Sequence, residues 1–205
     1  MTSISHLGSR TGQGQLEVII GCMFSGKTEE LIRRVERARI ANQQTLIFKP
    51  SIDDRYDQNA VVTHYGRNFE AFLLDPGQEY LEILYRAVGE ETIQATSVIA
   101  FDEGNLFEKS LPALCERLVA MDKRVIVAGL DLTFAGDPFE PMPTLMARAD
   151  LLDKLHAVCV RCGGIATRTQ RLVNGKPARS TDPVILIGGQ DHYEARCRDC
   201  YEVPT

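Results

Sequence analysis

Gly21, Cys22, Met23, Phe24, Ser25, Gly26, Lys27 and Thr28 constrain this chain more than any other stretch, because they fit the phosphate-loop pattern of Gly, four residues, Gly, Lys and Ser or Thr. The residues before them, Gln15–Ile20, read as a buried strand. After them Leu31, Ile32, Val35 and Ala38 recur at helical spacing. In a strand, loop and helix of this kind, backbone N–H groups turn toward phosphate oxygens and the helix adds the positive end of its dipole. Lys27 then sets a point charge on the outer phosphates, and Thr28 offers a hydroxyl to Mg²⁺.

The chain continues in the same alternation. A second strand, Gln44–Lys49, ends at Pro50, and the polar turn 51–56 places Asp53 and Arg55 at a strand's C-terminal end, where α/β sheets bind ligands. Val61–His64 reads as a short strand in a hairpin-like insertion. Tyr80, Leu81, Leu84 and Val88 mark a helix between Pro76 and Gly89, and Ser97–Phe101 is an apolar strand of the kind found inside a parallel sheet. A helix carrying Leu111, Leu114, Leu118 and Met121 leads to one more buried strand, Arg124–Ala128. The order predicts an α/β fold of the RecA-like phosphate-loop class: a parallel sheet with helices on both faces.

Asp102 and Glu103 follow the apolar strand directly. An acidic residue at such a tip is where a phosphate-loop fold holds Mg²⁺, which makes Asp102 the metal partner. Glu103 then lies beside the terminal phosphate and can accept a proton from an attacking oxygen. Gly104 and Asn105 extend the nucleotide side of the candidate site. The loop 129–139 carries two exposed-looking aromatics, Phe134 and Phe139, which either wall a pocket for a flat base or pin the loop to the core. Pro143–Ala149 makes a short helix.

Composition changes at Cys159. Of the six cysteines, Cys159 and Cys162 form one Cys-x-x-Cys pair, and Cys197 and Cys200 form a second after 34 intervening residues. Two such turns complete a tetrahedral zinc site with no open position, so its role is structural. Cys22 and Cys115 read as small buried hydrophobes. Between the pairs, Ala166–Val173 alternates, Asn174-Gly175 signals a hairpin, and Pro183–Gly189 is an apolar stretch ahead of Tyr193. A loop stapled at its base in this way can present backbone groups to a nucleobase edge. The boundaries expected are a mobile tail at 1–14, a phosphate-loop domain at 15–152 and a zinc-binding lasso domain at 153–205.

Net charge is −5, and the acidic residues are spread along the chain, which argues against a nucleic-acid-binding face. No run reaches the roughly 18 apolar residues of a membrane span, and Met1–Gly14 lacks the apolar centre of a secretory signal, so a cytoplasmic protein is expected.

In combination these motifs resemble the zinc-containing thymidine kinases of bacteria and animal cytosol. The resemblance covers about Gly14 to Tyr201 and rests on the phosphate loop, Asp53 to Tyr56, Asp102 to Gly104, Leu130 to Phe134, and the Gly-Gly-x-Asp-x-Tyr ahead of the last cysteine pair. It implies transfer of the γ-phosphoryl group of ATP to the 5′-hydroxyl of thymidine, with Glu103 as general base and Thr28 and Asp102 serving Mg²⁺. It also implies a thymine pocket of Met23, Leu130, Phe134, Phe139 and Thr169. Val184, Leu186 and Gly188 resemble the lasso backbone that bonds the base, and Tyr193 the residue that closes over it. A homotetramer inhibited by thymidine triphosphate is implied as well. The chain departs from the family pattern at Cys22, usually Pro or Ala, and at Asn105-Leu106, often Gln-Phe. Two other readings compete: a phosphate-loop ATPase whose arginine-bearing ribbon grips nucleic acid or a protein, and a nucleotide-binding zinc protein without catalysis.

Overall fold

A computed structural model describes residues 14–52, 60–62, 68–74, 80–185 and 192–203. Residues 1–13 and the candidate residues Asp53, Arg55, His64, Leu186 and Gly188 lie outside the described residues.

Alternation builds the first strand, β1 (Gln15–Ile20): Leu16, Val18 and Ile20 face one side of the sheet, Glu17 and Ile19 the other. Helix α1 (Lys27–Ile40) follows the phosphate loop and leads to β2 (Thr45–Pro50). The expected insertion is an antiparallel pair, β3 (Ala60–Val62) and β4 (Asn68–Glu70), ahead of β5 (Phe72–Leu74). Then come α2 (Tyr80–Val88), α3 (Glu90–Ala95), β6 (Val98–Phe101), α4 (Leu111–Ala120), β7 (Arg124–Gly129), α5 (Met142–Arg148) and β8 (Leu151–Lys154).

Six of these strands form one sheet in the order β5-β2-β6-β7-β1-β8, and every pairing is parallel. Parallel neighbours need long crossovers, which the helices supply except between β2 and β5, where the β3-β4 insertion lies. The order sets β7 between β1, which feeds the phosphate loop, and β6, which ends at Asp102. Ile20 pairs with Gly129 and Phe101 with Val127, so the chain ends that carry chemistry emerge at one edge.

The two faces are covered unequally. On one side α1 alone packs Leu31, Ile32, Val35 and Ala38 against Ile19, Ile47, Ala100, Ile126 and Ala128. Helices α2 to α5 cover the other side, where larger residues fill the space between them. Phe48 and Phe101 stack there with ring centroids 5.7 Å apart, and Phe107 meets Phe101 edge-on at 5.8 Å. Buried charge also ties α1 down. Arg34, 3% exposed, donates from Nη1 to Glu17 Oε2 at 2.7 Å, from Nε to Glu30 Oε1 at 2.8 Å, and from Nη2 to Asp153. Arg124 Nε donates to Glu17 Oε1 at 2.5 Å.

The sixth strand, β8, is not anticipated by the sequence. All its residues are exposed, so it lacks the apolar run that marks the other strands; its pairing with β1 defines it instead.

The chain then builds a ribbon. Strands β9 (Ala157–Val158) and β10 (Ile165–Ala166) pair antiparallel, and β11 (Arg168–Val173) lies between β12 (Lys176–Pro177) and β13 (His192–Arg196) in an antiparallel sheet. Asn174 and Gly175 both adopt positive φ, 52° and 75°, as a tight two-residue hairpin turn requires.

Candidate active site and metal module

The phosphate loop leaves β1 through Gly21, where a side chain has no room: a Cβ would sit 2.5 Å from the carbonyl oxygen of Leu155 and 2.7 Å from Ser25 Oγ. Gly26 enters α1 at φ 82°, in the left-handed region that glycine adopts without strain. Lys27 Nζ donates to the Cys22 carbonyl at 2.9 Å. Burial pushes the Lys27 pKa down, and the charges of Glu103, Cys22, Asp102 and Asp131 push back. Ser25 Oγ is buried and has no hydrogen-bond partner among the described residues, so a phosphate oxygen against this loop would satisfy it.

Across the edge, Asp102 is 7% exposed and accepts from Thr28 Oγ1 at 3.3 and 3.1 Å on its two oxygens. Its own Oδ1 also takes the Glu103 N–H at 3.0 Å. Burial first, and the neighbouring charge of Glu103 second, push Asp102 up to about 7 against these bonds. A carboxyl raised in this way is short of positive charge, and a divalent cation beside Thr28 and Asp102 would relieve it. Glu103 adopts φ 52°, ψ 44°, a left-handed conformation costing a non-glycine residue on the order of 1 kcal/mol. Strain of that kind concentrates at working sites. The chain turns there into a short 3₁₀ helix, Gly104–Leu106, and Asn105 Oδ1 accepts the Leu130 N–H at 2.7 Å.

Asn105 thereby ties the end of β6 to the loop after β7. In that loop Asp131 is 4% exposed; its Oδ2 pairs with Lys154 Nζ at 2.6 Å, while its Oδ1 and the buried Thr133 Oγ1 have no hydrogen-bond partner among the described residues. Both lie in the Leu130 to Phe134 motif, but the sequence assigns neither a role, because an Asp and a Thr in a glycine-containing loop look like ordinary turn formers. The exposed Phe134 expected from sequence is a buried one. The Thr133 N–H to Asp137 bond at 2.8 Å and the Phe139 N–H to Asp131 bond at 3.0 Å fold the loop inward, leaving Phe134 5% exposed. Arg171 lies over its ring at 5.1 Å, and Tyr201 Oη donates to its carbonyl at 2.6 Å. Phe139 and Leu130 are half-buried.

From the ribbon, the candidate Thr169 does reach the loop: Met23 N–H donates to Thr169 Oγ1 at 3.0 Å. Cys22 is buried as expected; burial pushes its thiol pKa up, and its Sγ donates to the Ala166 carbonyl at 3.4 Å. Tyr193 is half-buried on β13 opposite Arg171, and Val184 is exposed.

The four cysteines of the two pairs converge, with all Sγ atoms within 4.8 Å of one another and Cys162 and Cys197 at 3.6 Å. Tetrahedral zinc with thiolate bonds of about 2.3 Å sets its sulfurs about 3.8 Å apart, so this donor set fits one such ion. Backbone N–H groups, that of Cys197 foremost, hold Cys159 down at about 6, which favours the thiolate a metal needs. Two arginines that count toward a basic ribbon face in the sequence do not supply one. Arg171 and Arg196 are 2% and 1% exposed and donate to Pro183 O at 2.6 Å and to Glu194 Oε2 at 2.8 Å.

A parallel sheet that brings Lys27, Thr28, Asp102 and Glu103 to one edge, with a four-thiol module bonded to the loop between them, defines a phosphate-loop nucleotide enzyme carrying a metal-binding ribbon. A family model described as thymidine kinase matches residues 14–201, and the chain belongs to that family. A curated relative, the thymidine kinase of Coprothermobacter proteolyticus (strain ATCC 35245 / DSM 5265 / OCM 4 / BT), is 53% identical over 194 residues, covering 95% of this chain and 93% of the relative. Among solved structures, Bacteroides Pif1 bound to ssDNA aligns with 69% of this chain and 38% of its own at 12% identity and a TM-score of 0.37, a likeness too loose to bear on function.

Proposed function

We propose that this chain transfers the γ-phosphoryl group of ATP to the 5′-hydroxyl of thymidine. The observation that carries the proposal is the shared edge of Lys27, Thr28, Asp102 and Glu103 in a chain of the thymidine kinase family. The loop from Gly21 to Thr28 cradles the phosphates, and Lys27 exchanges its bond to the Cys22 carbonyl for an outer phosphate oxygen. Thr28 and Asp102 are the residues that would hold Mg²⁺, which would supply positive charge against the phosphates. Glu103 takes the proton of the attacking hydroxyl, its charge felt strongly by both Lys27 and Asp102. Asp53, Arg55, Gly104 and Asn105 complete the nucleotide side in this reading.

Thymine is received by Met23, Leu130, Phe134, Phe139 and Thr169, by the backbone of Val184, Leu186 and Gly188, and by Tyr193. Residues 15–152 then form the ATP-binding phosphate-loop domain, which also supplies Met23, Leu130, Phe134 and Phe139 to the thymine pocket, and 153–205 the lasso domain, with structural Zn²⁺ on Cys159, Cys162, Cys197 and Cys200. No helix among the described residues is long and apolar enough to cross a membrane. Family resemblance supports a cytoplasmic homotetramer inhibited by thymidine triphosphate, with no nucleic acid or membrane in the reaction. The test is incubation with γ-labelled ATP and thymidine. Label in thymidine monophosphate is the expected result, and label released as free phosphate regardless of thymidine would support the ATPase reading instead. Glu103→Gln should keep both ligands and lose at least ~100-fold in turnover.

A further inference from the structure

The phosphate loop spends two of its first three residues on the ribbon. Met23 gives its backbone N–H to Thr169 Oγ1 at 3.0 Å, and Cys22 sets its thiol against the Ala166 carbonyl inside a small cluster with Ala157, Cys159 and Ala195. Thr169 is 4% exposed. Its partner in the ribbon sheet is Ala195. The Ala195 carbonyl accepts the Val160 N–H at 3.1 Å, one residue past Cys159, and Ala195 itself lies two residues before Cys197. Both thiol pairs therefore reach the phosphate loop through the backbone around Ala195 and the Thr169 hydroxyl.

We infer that Thr169 is a positioning residue for the phosphate loop, and that through it and Cys22 the metal-bound ribbon and the nucleotide cradle stabilise each other. The inference rests on the nucleotide reading given above. Met23 stands at the point where the chain leaves the strand and begins to turn around phosphate. Without an acceptor for its N–H, the loop must reorganise before its later amides can converge. Because binding linkage is reciprocal, a nucleotide that orders the loop must also strengthen the hold of the ribbon on its metal. This role is separate from any contact of Thr169 with a base, since it concerns an empty thymidine pocket.

The experiment titrates zinc-loaded protein with Mg·ADP in the absence of thymidine, by calorimetry. Thr169→Val keeps the side chain's shape and removes the acceptor, so ADP should bind roughly five- to tenfold more weakly, the scale of one buried hydrogen bond. Thr169→Ser keeps the acceptor and should bind within about twofold of the unmodified protein. In the reverse direction, saturating ADP should raise zinc retention in equilibrium competition with a chromogenic chelator at least about threefold in the unmodified chain, and the gain should vanish in Thr169→Val. Equal ADP affinity in the Val variant, or zinc retention indifferent to ADP, overturns the inference while leaving the proposed reaction standing. Unmodified protein that binds no ADP overturns both. Should Thr169→Val not fold, the zinc-retention measurement on the unmodified chain decides.

Discussion

In the six-stranded sheet the buried residues are large: Leu16, Ile20, Phe48, Phe101 and Leu84 all lie at 1% exposure or less, between four helices and a sheet face. In the ribbon the buried apolar cluster consists of Ala157, Ala166, Ala195 and cysteines, with Cys22 contributed by the phosphate loop. Burying a Phe or Leu side chain is worth about 1.5–3 kcal/mol, and an alanine methyl far less. The sheet can therefore order itself by burial, whereas the ribbon has too little apolar area to offset the chain entropy of its strands. Metal coordination by the four thiols would supply what the alanines cannot, since structural zinc contributes on the order of 10 kcal/mol. A half that holds its shape from a core thus meets, at the phosphate loop, a half whose four thiols would hold its shape through an ion.

Removing zinc with a chelator, or replacing Cys197 by Ser, should break this pairing most severely. Thymidine binding should be lost altogether, ADP binding should fall by a smaller factor, and the far-UV circular dichroism of the helices should persist. Collapse of the helical signal together with thymidine binding would show that the sheet depends on the ribbon for its own fold. The opposite cut is Lys27→Ala, which removes the cation from the loop and leaves the cysteines untouched. Turnover should fall at least ~100-fold, the usual scale for losing one preorganised charge on a transferring group. Zinc content, measured by metal analysis, should stay at the level of the unmodified protein.

The same contrast explains what could be read from the chain. Strands β1, β2, β6 and β7, helices α1, α2, α4 and α5, the Asn174-Gly175 turn and the cysteine pairs all carry local signals: apolar runs, helical spacing, fixed turn chemistry, fixed ligand spacing. Features decided by distant partners carry none. Strand β8 is exposed throughout and exists because β1 offers it an edge. Glu17 interrupts an apolar strand, and only the fold shows Arg34 and Arg124 closing on it. Phe134 looked like an exposed loop aromatic until Asp137 and Asp131 bonded the loop inward. The Met23–Thr169 bond spans 146 positions, and no pattern in either segment announces it.

The buried charges on the α1 side give a third, intermediate test. Arg34→Met leaves Glu17, at 3% exposure, with Arg124 as its one remaining ion partner among the described residues. Breaking a buried pair from one side costs about 3–5 kcal/mol, so the urea midpoint of the helical signal should drop sharply. Zinc content should not change, because none of these side chains touches the ribbon's cysteines. A variant that loses zinc along with stability would show that the two halves melt as one unit, against the separation argued here.

Acid should separate the halves more gently, and the sign follows from Glu30. Burial alone would raise its pKa, but hydrogen bonds from Arg33 and Arg34 outweigh burial and hold it at about 2. An unfolded glutamate titrates at about 4.3, so the folded chain gives up this proton at lower pH than the unfolded one. The stability Glu30 contributes is thus complete above about pH 4.3 and fades as pH falls toward 2. For a pair partly open to solvent the amount is about 1 kcal/mol or less. The ribbon should fail earlier, since its thiolates take up protons as metal leaves. Measured by urea titration of the helical signal, the unmodified chain should lose up to about 1 kcal/mol more than Glu30→Gln between about pH 6 and pH 3. Identical losses in the two proteins would remove Glu30 from the account, and zinc held until the helices melt would remove the predicted order of failure.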